Sequence, residues 1–283
     1  MCPSCEFYME TKENVVRYLP LNNGLSKPAV GFGTWSLKGE TCVRAVRTAF
    51  DCGIRLVDTA SFYENEREVG RAVREAVRSG IPREELFVET KLYPSQYGDP
   101  DGAIEEALEQ LGLEYVDMMV LHHLGTGDAA AYRAIERAVE RGENRSIGLS
   151  NWYVKELEDF LPKVKTRPAL VQNEIHPLYQ EREVVPFIQN FGMAVQSWYP
   201  LGGRGWTKAI LTHPTITEIA KRLGKTPAQV VLRWHLERGV AVIPGASDPV
   251  HIRENAELFD FSLTEDDMRS IALHDRGEKH DWY

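Results

Sequence analysis

Residues 54–91 read IRLVDTASFYENEREVGRAVREAVRSGIPREELFVETK. Its two ends, IRLVD at 54–58 and LFVET at 86–90, are short, apolar and rich in β-branched residues, as strands buried on both faces are. Between them, EREVGRAVREAVRSG repeats apolar residues at a helical period and stops at a glycine, the signature of an amphipathic helix with its terminator. A strand, a helix and a second strand make a βαβ unit, which implies a parallel sheet.

The same alternation extends in both directions. Further strands are expected at 29–32 (AVGF, with Gly31), 115–121 (YVDMMVL), 146–150 (SIGLS), 169–174 (ALVQNE), 193–198 (MAVQSW) and 240–244 (VAVIP), for a total of eight. Helical periods recur in ETCVRAVRTAFDCG, DGAIEEALEQLG, DAAAYRAIERAVERG and TPAQVVLRWHLERG. Eight such units in roughly 250 residues match a closed barrel better than an open doubly wound sheet. The expected fold is therefore α/β, a single-domain (β/α)8 TIM barrel over residues 14–283. A short N-terminal hairpin should open it, with VVRYLPL and PAVGF flanking Asn22, Asn23 and Gly24, and residues 1–13 are expected to be a disordered tail. The dinucleotide fingerprint of the open fold is missing. Ser36 stands where the third glycine after Gly31 and Gly33 belongs, and Gly202, Gly203 and Gly205 are spaced wrongly.

Bulk properties narrow the partners. With 283 residues, 43% hydrophobic and 27% charged, the chain has the composition of an ordinary globular protein. A net charge of −9 opposes general binding to nucleic acid or anionic membrane, so a small-molecule ligand is expected. No apolar run is long enough to span a bilayer, and MCPSCEFYMETKEN lacks a signal-like start; the expectation is a cytoplasmic monomer. Cys2 and Cys5 form a CxxC without a second ligand pair or a thioredoxin-like context, and Cys42 and Cys52 fall in an amphipathic helix as reduced packing residues.

In a barrel of this kind, chemistry sits where strands end and loops begin. The strand ends supply Asp58 followed by Thr59, Ala60 and Tyr63, then Lys91, His122, Ser150 with Asn151, Gln172 to Glu174, and Trp198. Any one of these is ordinary. An Asp, a Lys, a Tyr and a His converging on one rim each make the others less costly to bury. His122 and His123 are neighbours on a strand, so only one should face the mouth from the strand itself. The stretch LGGRGWTKAILTHP lies on the loop side and is a candidate for holding phosphates.

The segments LNNGLSKPAVGFGTW, VDTASFYENEREVG, FVETKL, YVDMMVLHH, IGLSNW, VQNEIHP, QSWYPLGGRG and VIPGASDPVHIREN resemble the aldo-keto reductase family in order and spacing, from about Leu21 to Trp282. The resemblance implies reduction of a carbonyl by NADP(H) or NAD(H), with a catalytic tetrad at Asp58, Tyr63, Lys91 and His122. Tyr63 would be the general acid, Lys91 the ammonium beside it, Asp58 the partner of Lys91, and His122 the donor to the substrate oxygen. It also implies Trp198 against the nicotinamide, with Ser150, Asn151 and Gln172 on its carboxamide. Gly33, Thr34, Trp35, Leu201, Gly203, Gly245, Ala246, His251, Glu254 and Asn255 would line the rest of the cofactor site. The adenine end departs from the family pattern, because Gly245, Ala246 and His251 replace the Lys, Ser and Arg that commonly hold the 2′-phosphate. Arg204 or Arg253 could compensate. The substrate pocket would be lined by Trp35, Tyr93, His123, Trp152 and Trp282.

Two other classes compete. A metal-dependent barrel hydrolase could recruit His122, His176, Asp58 and Glu174, but no HxH pair supports it and Lys91 would oppose a cation; no metal is expected. A nucleotide-binding sensor subunit of the same fold is the non-enzymatic alternative, and the complete tetrad argues against it.

Overall fold

The computed structural model describes residues 17–279, so the expected tail, Cys2, Cys5 and Trp282 lie outside the described residues. The chain opens with a hairpin in which β1 (Tyr18–Pro20) pairs antiparallel with β2 (Ser26–Pro28), placing Leu19 opposite Lys27. Its second arm is not the expected PAVGF run. Pro28 ends the arm, and from Ala29 onward the backbone belongs to the barrel, with the Ala29 carbonyl accepting from Val242 N at 2.9 Å.

Eight parallel strands follow: β3 (Gly31–Gly33), β4 (Leu56–Asp58), β5 (Phe87–Leu92), β6 (Met118–Leu121), β7 (Ile147–Ser150), β8 (Leu170–Glu174), β9 (Ala194–Trp198) and β10 (Val240–Val242). Each is hydrogen-bonded to the next in chain order. The sheet then closes on itself through a parallel bridge between Val30 and Val242 and a 3.3 Å bond from Gly33 N to the Pro244 carbonyl. Glycine makes this seam possible. A Cβ on Gly33 would stand 2.5 Å from the Ile243 carbonyl oxygen, and one on Gly245 would stand 2.7 Å from that of Gly33, so neither position accepts a side chain without backbone movement.

The first six barrel strands are each followed by a helix: α1 (Gly39–Asp51), α2 (Glu66–Arg78), α3 (Pro100–Leu111), α4 (Asp128–Arg141), α5 (Val154–Phe160) and α6 (Val184–Asn190). Three more, α7 (Gly203–Leu211), α8 (Pro214–Leu223) and α9 (Pro227–Glu237), separate β9 from β10, and α10 (Pro249–Ala256) and α11 (Glu265–Ala272) complete the chain. Helix α2 shows why the pattern folds as it does. Val69, Ala72, Val73 and Ala76 fall on one face and are buried, while Arg67 and Arg71 remain exposed. The glycine-rich stretch after β9 is the first turn of α7 rather than an open loop.

Apolar side chains fill the layer between sheet and helices and also the floor of the barrel, where Leu21 of the hairpin meets Leu56, Phe87, Met118 and Leu170. Toward the C-terminal ends of the strands the barrel filling turns polar. Asp58, Glu89, Lys91, Gln172 and Gln196 are all buried there, which sets a charged layer directly beneath the mouth.

Candidate active site

Asp58 closes β4 and Lys91 lies near the end of the adjacent β5, so strand pairing alone brings them together. Lys91 Nζ donates to Asp58 Oδ1 at 2.5 Å, to the Thr59 carbonyl at 3.0 Å and to Tyr63 Oη at 3.2 Å. The ammonium is 0% exposed and all three of its donor positions are taken. Burial works against its charge, but Asp58 and Tyr63 outweigh that and raise the Lys91 pKa above its ordinary value. Tyr63 ends a short 3₁₀ turn (Ser61–Tyr63) that leans over the rim. Burial pushes its phenol up to about 12, with Lys91 opposing the rise, so the hydroxyl keeps its proton at neutral pH. The ammonium therefore moderates the phenol's proton affinity without bringing it below the ordinary tyrosine value.

His122 follows β6, with its ring 5.6 Å from that of Tyr63. Burial, Lys91 and His123 hold its imidazole well below the ordinary histidine range, so it is a neutral ring. His123 also reaches the cavity, contrary to the expectation that only one of the two could. The alternation rule applies within a strand, and β6 stops at Leu121; past that point the two rings stack, 4.6 Å apart and 13° from parallel.

These groups stand at one end of a cavity of about 980 Å³ that runs along the barrel mouth to α10. Near the tetrad it is lined by Ser150, Asn151, Gln172 and Trp198, midway by Leu201 and Gly203, and at the far end by Gly245, Ala246, His251, Glu254 and Asn255. Gly33 and Trp35 line it as well. The wall is itself bonded together. Asn151 Nδ2 donates to the His122 carbonyl at 3.0 Å and lies 3.0 Å from His123 Nδ1, while Asn151 Oδ1 accepts from Trp198 Nε1 at 3.1 Å. Gln172 Nε2 donates to Asp58 Oδ1 at 3.0 Å. One residue thus fixes the indole and both histidines. Ser36, Asn151 and Tyr199 line the cavity in the left-handed region, at φ 66°, 65° and 50°, a conformation that non-glycine residues hold only where surrounding contacts impose it.

Three expected lining residues, Thr34, Trp152 and Tyr93, do not line the cavity. Thr34 is buried behind the wall, and its hydroxyl donates to the Asp58 carbonyl at 2.9 Å, so it braces the strand end instead of meeting a ligand. Trp152 is 1% exposed and packs on Phe160 at 4.4 Å, because α5 begins just after it and draws the indole into the core. Tyr93 stands one row back, stacked 4.4 Å behind Phe62. Phe62 in turn stacks on Trp35 at 5.9 Å, and both rings are exposed, giving the mouth an aromatic lip. Arg204 lines the cavity, but Arg253 lies on the other side of α10, beside Cys52.

Phe62, Tyr199 and Lys208 were not singled out from the sequence. Phe62 and Tyr199 are ordinary aromatics in loops and carry no signal. Lys208 did carry one: it follows Arg204 by four residues in a helical stretch, which puts both cations on one face. Among the described residues, no three His, Cys, Asp or Glu side chains are placed to hold a metal ion. His176 and Glu174, the other pair of the metal-site alternative, contact each other at 3.0 Å in the buried interior.

The sequence model of the Aldo/keto reductase family matches residues 29–276. Across 89% of this chain and 89% of the relative, the sequence is 39% identical to a 9,11-endoperoxide prostaglandin H2 reductase of Trypanosoma cruzi. It is 35% identical to a methylglyoxal reductase of Yersinia pestis, over 92% of this chain and 94% of that one. Among solved structures, an aldo-keto reductase from a Medee basin deep-sea metagenome library superimposes with a TM-score of 0.89 at 35% identity, covering 92% of this chain and 96% of its own. The (β/α)8 barrel, the polar cluster at its mouth and these matches over nearly the whole fold agree: the chain belongs to the aldo/keto reductase family.

Proposed function

We propose that the protein reduces aldehydes or ketones to alcohols with NADP(H) or NAD(H), and that Tyr63 is the general acid. The observation that carries this reading is the chain Asp58–Lys91–Tyr63, bonded at 2.5 and 3.2 Å beside a neutral His122, at the end of a cavity of about 980 Å³.

The cavity suits that cofactor. Trp198 offers a flat face held by its bond to Asn151, which suits a planar ring stacked against it. Farther along, Gly202 and Gly203 open α7 at φ 88° and 56°, so the helix begins at the cavity wall with its positive end and unpaired N–H groups. Arg204 and Lys208 line the same wall. These two cations are the groups we assign to the cofactor phosphates, with Glu254 and Asn255 at the adenine. With Gly245, Ala246 and His251 at the far rim, discrimination between NADPH and NADH is expected to be weak.

When bound, the cofactor supplies a hydride to the carbonyl carbon. The remaining steps belong to the chain. His122 donates a hydrogen bond to the carbonyl oxygen and fixes its position above Tyr63. The Tyr63 hydroxyl passes its proton to that oxygen as negative charge develops there, and the Lys91 ammonium stabilises the phenolate left behind. Asp58 keeps Lys91 charged in a site that excludes water. The aromatic lip and the cavity size suit small aldehydes, dicarbonyls and keto-sugars. Tyr63→Phe should abolish reduction across a panel of these carbonyls while leaving cofactor binding, followed by quenching of tryptophan fluorescence, within about twofold of wild type. Full turnover by that variant would refute the assignment.

A further inference from the structure

Beneath the tetrad lies a second buried ion pair that the mechanism above does not use. Lys27 comes from β2 of the hairpin and Glu89 from β5, and both are 0% exposed. Lys27 Nζ lies 3.4 Å from Glu89 Oε1 and 3.2 Å from Oε2. Gln196 of β9 donates its amide to Oε1 at 2.5 Å, and the ammonium sits 5.3 Å over the Phe87 ring. Inside a barrel such positions are ordinarily filled by branched apolar side chains, and a buried ion pair is commonly no more stabilising than an apolar pair of the same volume. Packing alone gives little reason for charges here.

Register ties this pair to the site above it. Glu89 and Lys91 are two residues apart on β5, so both project into the barrel on the same face. Glu89 is also the strand partner of Asp58. The charged groups therefore alternate up the barrel interior: Lys27, then Glu89, then Lys91 paired with Asp58, then Tyr63. Their fields overlap. Burial disfavours the charges on Glu89 and Lys27, and each offsets that in the other; Glu89 favours the charge on Lys91, and Lys27 opposes it more weakly. The hairpin that carries Lys27 is fixed across the barrel floor by Asn22 Nδ2 to the Pro168 carbonyl at 2.7 Å and Asn23 Nδ2 to Ser146 Oγ at 2.9 Å, so the cation is held from outside the strand set.

We infer that Glu89, held in place by Lys27 and Gln196, is a positioning residue for the tetrad: its carboxylate lies below Lys91, helps hold that ammonium charged and aimed at Tyr63, and so sets the alkaline limit of the reaction. The inference rests on the reading of Tyr63 as the acid and Lys91 as its partner. It makes the N-terminal hairpin part of the catalytic design through Lys27.

The charged and polar groups facing this carboxylate are Lys27 on β2, Asp58 on β4, Lys91 on β5 and Gln196 on β9, with Tyr63 and His122 above them and Gln172 joined to Asp58. Removing both members of the pair leaves no uncompensated buried charge. In Lys27→Met/Glu89→Gln, Lys91 loses the lower of its two carboxylates together with the weaker opposing cation of Lys27, and the alkaline limb of kcat for carbonyl reduction should move down by up to about one pH unit. At pH 7, well below that limb, kcat should stay within about twofold of wild type, with the cofactor KM unchanged. Glu89→Asp, which withdraws the carboxylate by one methylene, gives the same signs with a smaller shift and serves if the double variant does not fold. A folded variant of either kind with an unmoved alkaline limb overturns the inference. An inactive wild type overturns the underlying reading instead, so the two failures are distinguishable.

Discussion

Replacing Lys91 with methionine tests the central contact of the site, and the structure sets the size of the effect. The ammonium has all three donor positions filled and no exposure to solvent, so water cannot stand in for it without rearrangement. At an effective dielectric near 20, a unit charge 3.2 Å from the phenol oxygen interacts with a developing phenolate by about 5 kcal/mol. Only part of that survives in the variant's barrier, because Asp58 loses its counter-ion and is free to take up a proton. A fall in kcat of about 10²- to 10⁴-fold is expected, the range of a general acid that has lost its support. Stability should suffer too. Breaking a buried pair from one side costs roughly 3–5 kcal/mol, although the Gln172 amide still donates to Asp58 at 3.0 Å and limits the loss. Lys91→Met/Asp58→Asn should recover most of that stability in urea denaturation while recovering none of the activity. The assay is cofactor oxidation at saturating aldehyde, with cofactor affinity measured separately. If Lys91→Met kept kcat within threefold of wild type, the role given to the ammonium would be wrong.

Two further outcomes follow from the geometry. Tyr63 is held up to about 12 and His122 well below the ordinary histidine range. The donor forms of both are therefore populated across neutral pH, and kcat for reduction should vary by no more than about twofold from pH 6 to 9. Alcohol oxidation needs the Tyr63 phenolate as base and should rise with pH over the same span; a reduction profile with a midpoint near pH 6.5 would contradict the neutral state given to His122. At the adenine end, His251→Arg adds a cation to an exposed rim position of the cavity. It should tighten NADPH by about tenfold over NADH, the worth of one charge-assisted bond, as read by paired dissociation constants; equal tightening of both would place the 2′-phosphate elsewhere.

How much of this the chain discloses depends on what kind of constraint each residue obeys. The strands were legible because both faces of a parallel barrel strand are buried, which leaves apolar runs such as LFV and MMVL. The convergence of Asp58, Lys91, Tyr63 and His122 was legible because polar groups at strand ends are conspicuous against those runs, while the choice of His122 over His123 came from the family resemblance. Thr34 and Trp152 misled for the opposite reason. Their types suit a ligand wall, but their direction is fixed by events outside their own segments, a hydrogen bond to the Asp58 carbonyl and the start of α5. Periodicity says nothing about a side chain once the strand that carried it has ended. His123 shows the same limit, since the end of β6 released it from alternation.

The loss of the expected lysine at Gly245 has a physical account that composition could not supply. Gly245 lies on the seam where the barrel closes, and a Cβ there would press on the Gly33 carbonyl at 2.7 Å. A side chain at this position requires the Gly33 or Gly245 backbone to shift. Any cation serving the phosphates without disturbing closure must come from another wall, and α7 brings Arg204 and Lys208 to the cavity from one. On the proposed assignment of Arg204 and Lys208 to the cofactor phosphates, the departure at the adenine end and the two cations on α7 would be parts of one arrangement, in which tight closure of the barrel at Gly33 and Gly245 places charge recognition across the cavity.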